Sequence, residues 1–411
     1  MSPRHLSRSE FLALTGLLSG ATLWPRGASA ATPSTTPVPT GKPATVTPKP
    51  SPVSTAALRR SCRAALAPGA PVDPGAELIR IGEWIQSRGL EQDFYGNSAF
   101  IEEFEARLAK LLGAEDACFM PTGTMGQLIA LRIYADASGN RNVGMHPSSH
   151  HVLHENNSHE VLHGLRDVLI APWNRPVLGS DVRGARESLG TVSVELPVRW
   201  LGGQLPTWAQ LEDLKRTCRS RGVKLHMDGA RLWECQPYYQ RSYADICRGF
   251  DSVYVSFYKT VGALGGAVLA GKRDFIRSAR MWRHRHGGNV FQMLPYVASA
   301  AMRLDDALAR IPEQVRRAKL LAEALAADER LTVLPRPPPT NMFRVYLRGD
   351  PAELSARRDL IAREDKVWVA NGFGPTRVPG VSETELQVSD ELGDVSEEAA
   401  AQAFRKLLSP A

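Results

Sequence analysis

The spacing of apolar residues changes period along this chain, and the changes mark out its elements. Ile101, Phe104, Leu108, Leu111 and Leu112 recur at helical spacing with charged residues between them, which predicts an amphipathic helix over 101–112. A short apolar run at 117–120 predicts a buried strand, and 124–137 a helix. Strands follow at 143–146, 168–171, 192–195, 223–227, 252–257 and 267–270, with a helix at 208–221. Such alternation predicts an α/β fold, a mostly parallel sheet with helices on both faces. After a helical stretch from 291 to about 327 the rhythm changes. Residues 341–347, 366–370 and 385–389 then read as strands with helices between them, a smaller C-terminal α+β domain. The division expected is a large domain over 54–310 and a small one over 311–411.

The N-terminus follows another pattern. Arg4 and Arg8 precede an apolar run at 11–24, and Ala28-Ser29-Ala30 offers a small-residue cleavage site. Residues 1–30 therefore read as an export signal, placing the mature protein in the periplasm or outside the cell. Residues 7–12 (SRSEFL) are similar to a twin-arginine signal lacking one arginine; without a working signal the protein stays cytoplasmic. Residues 31–53, dominated by Pro, Thr and Ser, read as a disordered linker.

Charge adds little. Five basic residues within 1–53 stand against Glu10 alone, leaving about +3 of the formal +7 for the rest. That is too mild to imply nucleic acid or a membrane surface as partner. The five cysteines show no metal-ligand spacing and do not select a disulfide pair.

Three segments carry chemistry, each just past a predicted strand, where open α/β sheets place ligands. Pro121-Thr122-Gly123-Thr124 opens a helix, and a helix N-terminus with a glycine and two hydroxyls suits a phosphate. The plainer reading is a threonine N-cap. Asp228 ends an apolar strand, where a carboxylate needs a partner such as a protonated pyridine nitrogen. Arg231 follows within reach of a substrate carboxylate, or of Asp228 itself. Lys259 follows the next strand, placed to act as a buried amine nucleophile. An acid and an amine at separate strand tips fit the two ends of pyridoxal 5'-phosphate (PLP), whose cationic ring is an electron sink. The histidines 146, 150, 151, 154, 159 and 163 include two pairs at i, i+4 spacing, but no HExxH or cysteine pattern, so no metal is expected. A flat imidazole could instead stack on a cofactor ring.

Together these segments resemble the threonine aldolase and β-eliminating lyase family of fold-type I PLP enzymes, from about Tyr95 to Asp306. Tyr95-Gly96 and the helix after it look like that family's entry segment. Residues 121–126 (PTGTMG) are similar to its SGTMAN loop. Ser149-His150 with Glu155 matches its SH…E segment, and 226–232 (HMDGARL) matches almost letter for letter. The lysine segment has Tyr258-Lys259-Thr260 where the family has Ser-Lys-Gly.

The resemblance implies an aspartate-aminotransferase-like PLP fold. Thr122, Gly123 and Thr124 would hold the phosphate, His150 would stack on the ring, Asp228 would meet its nitrogen, and Lys259 would form the Schiff base. Arg231, with Tyr95, would bind the amino-acid substrate, and the enzyme would be a homodimer or homotetramer. Two departures concern the substrate side. Val198 stands where the family has a hydroxyl-binding histidine, and no arginine is in register near 385–390, where Arg199 or Arg377 could substitute. The leading expectation is a lyase cleaving a β-hydroxy-α-amino acid to glycine and an aldehyde. The alternatives are β-elimination or another PLP reaction, or an exported binding protein of the same fold without catalysis.

Overall fold

The computed structural model describes residues 54–69 and 72–409; the expected export signal and linker lie outside the described residues. Seven strands form its central sheet: β1 (Asp116–Met120), β2 (Asn142–Met145), β3 (Arg166–Leu169), β4 (Thr191–Glu195), β5 (Lys224–Gly229), β6 (Ser252–Ser256) and β7 (Ala267–Gly271). Their order is β1-β7-β6-β5-β4-β2-β3. Only β7 runs antiparallel to its neighbours; the other pairings are parallel. Every residue of β6, and all but the first of β5, is buried, as expected of strands covered on both faces.

Two helices show how sequence sets these boundaries. Helix α1 (Ala99–Leu112) starts at Ser98, whose hydroxyl accepts from the Ile101 N–H, and stops at Gly113 in the left-handed region (φ +68°). Its Ile101, Phe104, Leu108 and Leu112 are buried, each worth roughly 1.5–3 kcal/mol relative to exposure. Helix α2 (Gly123–Ser138) buries Leu128, Ile129, Ala130 and Leu131 in succession, so it is covered on several sides.

Helix α3 (Leu294–Ala326) serves two cores. Val297, Leu304 and Ile311 pack towards the sheet side, and Ala318, Leu321 and Leu325 pack in the small unit. The small unit is an antiparallel sheet of β8 (Leu331–Leu334), β9 (Met342–Arg348), β10 (Gly374–Pro375) and β11 (Val381–Gln387), in the order β10-β11-β9-β8.

Three expectations shift. The strand expected at 366–370 shrinks to Val367–Trp368 and pairs in parallel with Ala64–Ala65, not with the small sheet. The strand expected at 385–389 starts at Val381 and stops at Gln387; its inward-facing Ser382 and Thr384 are buried but polar, which hides its period. The strand expected at 168–171 is Arg166–Leu169.

Candidate active site

The side chains singled out by sequence converge on the carboxyl ends of the parallel strands. Asp228 is the last residue but one of β5 and lies beside Glu195, the last of β4, in the sheet register. Asp228 is buried. Its Oδ2 accepts from Gln127 Nε2 at 2.7 Å and its Oδ1 from the Ala230 N–H at 3.1 Å. A carboxylate so held is set in direction, which a ring-nitrogen partner requires.

Lys259 follows β6 through Phe257, which is fully buried and stacks on Phe119 with ring centroids 6.1 Å apart. The Trp233 indole N–H donates to the Ser256 carbonyl at 3.1 Å, and the Gly262 N–H to the Lys259 carbonyl at 3.0 Å. This short loop is thus pinned on both sides of the lysine. Burial lowers the Lys259 amine below its ordinary value, with Asp228 pulling the other way. A lysine with a depressed pKa is the kind that acts as a nucleophile near neutral pH.

The histidine segment follows β2. The His150 N–H donates to Glu195 Oε1 at 2.8 Å, and its Nδ1 lies 2.9 Å from Glu155 Oε1. Glu155 also meets His151 Nδ1 at 3.1 Å. Burial alone would raise the Glu155 carboxyl, but its bonds to the two histidines outweigh it and hold it well below the usual range. Glu195 goes the other way: burial, then the charge of Asp228, raises its carboxyl. Its Oε2 is buried without a hydrogen-bond partner.

His150, Asp228, Arg231 and Lys259 line one cavity together with Arg199 and Trp200. Arg231 shows no ion pair with Asp228; its nearest acid is Glu234, at 4.0 Å, and its Nε is buried without a partner. Glu234 is fully buried, and burial pushes its carboxyl up to about 7. It accepts from the Thr260 hydroxyl at 2.5 Å and from Gln387 Nε2 at 3.2 Å.

The remaining candidates lie apart from that cavity or are otherwise engaged. Thr122, Gly123 and Thr124 line a second hollow with Tyr258 and Gly265. Thr122 does cap α2, its hydroxyl accepting from the Met125 N–H at 3.3 Å. Arg199 commits both Nε and Nη2 to Glu385. Arg377 is exposed in a turn. Tyr95 is half exposed in the left-handed region (φ +56°), with its ring edge-on to Phe291, and lines neither hollow. Among the described residues no group of three or more His, Cys, Asp or Glu side chains is placed to hold a metal.

Gln127, Glu195 and Glu234 were not chosen from sequence. The available signals were a single amide in the apolar run GTMGQLIAL and a carboxylate inside LWEC, three residues after Arg231.

Two observations test the fit to PLP. At Gly123 a Cβ would lie 2.0 Å from the Tyr254 hydroxyl and 3.1 Å from that of Tyr258, so only glycine fits there, and two tyrosine hydroxyls stand beside the free N–H groups at the start of α2. An oriented acid and an amine of lowered pKa share one cavity. Both suit the group: the N-terminus of α2 would take the phosphate, Asp228 the ring nitrogen and Lys259 the carbonyl carbon.

A mostly parallel seven-stranded sheet with this site at its strand ends, plus a smaller C-terminal unit, is the fold-type I architecture of PLP enzymes. A serine palmitoyltransferase from Sphingomonas wittichii shares the fold, with TM-score 0.63 at 17% identity. Residues 88–349 match the model of the beta-eliminating lyase family, and the chain belongs to that family of PLP-dependent lyases. It is 37% identical to a Listeria monocytogenes structure provisionally named an L-allo-threonine aldolase (TM-score 0.79, 85% of this chain and 98% of that one). An Exiguobacterium structure, provisionally named an aromatic amino acid beta-eliminating lyase/threonine aldolase, gives 33% and 0.78 over the same shares. The low specificity L-threonine aldolase of Escherichia coli K12 is 28% identical over 243 residues, 57% of this chain and 71% of that one.

Proposed function

We propose that this protein is a carbon–carbon lyase of the threonine aldolase type, cleaving a β-hydroxy-α-amino acid to glycine and an aldehyde. The observation that carries the reading is the single cavity shared by His150, Asp228, Arg231 and Lys259. Bound there, PLP supplies the electron sink that Cα–Cβ cleavage needs. Lys259 would hold it through its amine. Asp228 would pair with the protonated ring nitrogen. The Arg231 fork grips the substrate carboxylate. His150, with Nδ1 engaged by Glu155, has Nε2 to take the proton of the β-hydroxyl.

The substrate side favours a bulky β-substituent over the methyl of threonine. Val198 is buried and brings no imidazole to hold the hydroxyl. The Trp200 indole N–H donates to His154 Nε2 at 3.0 Å with the two rings nearly parallel (12°), and the Arg344 guanidinium lies 4.5 Å from the indole centroid, so the ring is a fixed flat wall at the cavity. Purified protein should be yellow with bound PLP, and Lys259→Ala should lose that colour and all turnover. Benzaldehyde from phenylserine should exceed acetaldehyde from threonine in kcat/KM. Ammonia and a keto acid in place of the aldehyde would instead support β-elimination, and a colourless wild-type protein would remove the coenzyme assignment.

A further inference from the structure

We propose that Gln127, oriented by His226 and Ser252, is a positioning residue that fixes the Asp228 carboxylate for the coenzyme ring; this rests on the coenzyme reading above. Three hydrogen bonds form the relay. Gln127 Nε2 donates to Asp228 Oδ2 at 2.7 Å, His226 Nε2 lies 3.2 Å from Gln127 Oε1, and His226 Nδ1 lies 2.7 Å from Ser252 Oγ. All four side chains are buried.

The relay has one consistent direction. An ionised Asp228 only accepts, so the amide nitrogen of Gln127 must face it. The amide oxygen is then left for His226, which must carry its hydrogen on Nε2. The bare Nδ1 accepts from the Ser252 hydroxyl. Burial pushes the His226 imidazole down to about 3, so it stays neutral and keeps that single hydrogen. Turning the amide over would set oxygen against carboxylate and donor against donor.

The relay also links the two ends of the coenzyme site. Gln127 lies one turn beyond Gly123 on α2, so the phosphate end and the ring acid are held by one helix, about 6 Å apart along its axis. Asp228 and Ser252 come from β5 and β6, so three elements share one chain of bonds.

The experiment uses the full chain with Gln127→Leu, Gln127→Glu and Ser252→Ala. PLP affinity is measured by absorbance titration, together with the pH at which the bound coenzyme's spectrum changes and the thermal midpoint of the apoprotein. Gln127→Leu should weaken PLP binding about tenfold to a hundredfold, the range for a lost hydrogen bond to a charged group, and shift the spectral transition. Gln127→Glu should weaken it further, since two carboxylates would face each other. Ser252→Ala touches only the far end and should move the same transition less, with the fold kept. A folded Gln127→Leu protein, or a Ser252→Ala protein where Gln127→Leu does not fold, with wild-type affinity and spectral pH profile overturns the relay while leaving the coenzyme reading in place. A wild-type chain that binds no PLP overturns both.

Discussion

Glu155 meets two histidines at once, and its charge state governs the segment that carries His150. Its carboxyl is held below its ordinary 4.5, so its stabilisation is complete above that value and fades as pH falls towards the lowered one. For His151, burial opposes the proton, but Glu155 and the nearby acids win and raise it above 6.5. The stabilisation from His151 is therefore complete below 6.5 and lost as pH rises through the raised value. Both act in full only between about pH 4.5 and 6.5. Glu155→Gln should lower the thermal midpoint most in that window, with the gap to wild type narrowing on either side. A gap that does not vary with pH would show that the pair does not titrate as described. Asp228, Lys259 and Arg231 were legible in the sequence because each follows an apolar strand that cannot absorb a charge. Gln127 and Glu195 were not, because their partners are non-local: Gln127 bonds Asp228 across 101 residues, and Glu195 bonds His150 across 45.

At the scale of elements, the loop carrying Lys259 is shaped by glycine. Gly266 sits at φ +89°, and a Cβ there would lie 2.1 Å from Phe119 Cζ, the ring on which Phe257 stacks. Gly262 is also left-handed (φ +72°), but a Cβ there meets nothing within 4 Å. Gly266→Ala must displace a ring at the sheet core and should cost about 1–3 kcal/mol from overpacking on top of its backbone strain. Gly262→Ala should cost only the strain, about 1 kcal/mol. Denaturant midpoints would rank the two, and equal costs would mean that Phe119 moves freely. Gly266→Ala should also weaken PLP binding, since the displaced ring supports the lysine loop. The strands at 117–120, 192–195 and 252–256 could be read because short apolar runs bounded by polar turns leave few other choices. Val367–Trp368 was harder to place, because its partner Ala64–Ala65 lies some 300 residues earlier and carries no signal of pairing. β8 and β10 are short edge strands: β8 alternates in burial but ends on an exposed apolar Leu334, and β10 is only Gly374–Pro375, too short to show a period.

For the whole molecule, the central question is what holds the small sheet against the site. Arg199, just after β4, makes a two-pronged pair with Glu385 of β11, and Arg344 of β9 pairs with Glu383 and Glu385. Glu234, beside the lysine loop, reaches Gln387 at the end of β11. The Arg199–Glu385 and Glu234–Gln387 bonds join the two units beside the cavity that Arg199 lines, where the family pattern would have placed a substrate-binding arginine. An arginine committed at both Nε and Nη2 acts as a strap. Arg199→Ala and Glu385→Ala should therefore raise KM for the amino acid by the same modest factor. The Arg199 side chain is 42% exposed, so solvent screens the pair and its worth is about 0.5–1 kcal/mol, or roughly twofold to fivefold. The double variant should be no worse than either single, and PLP affinity should stay constant, because the candidate coenzyme contacts all come from the large unit. If Arg199 grips substrate instead, the two variants part company: Arg199→Ala raises KM steeply, while Glu385→Ala, by releasing the guanidinium, lowers it.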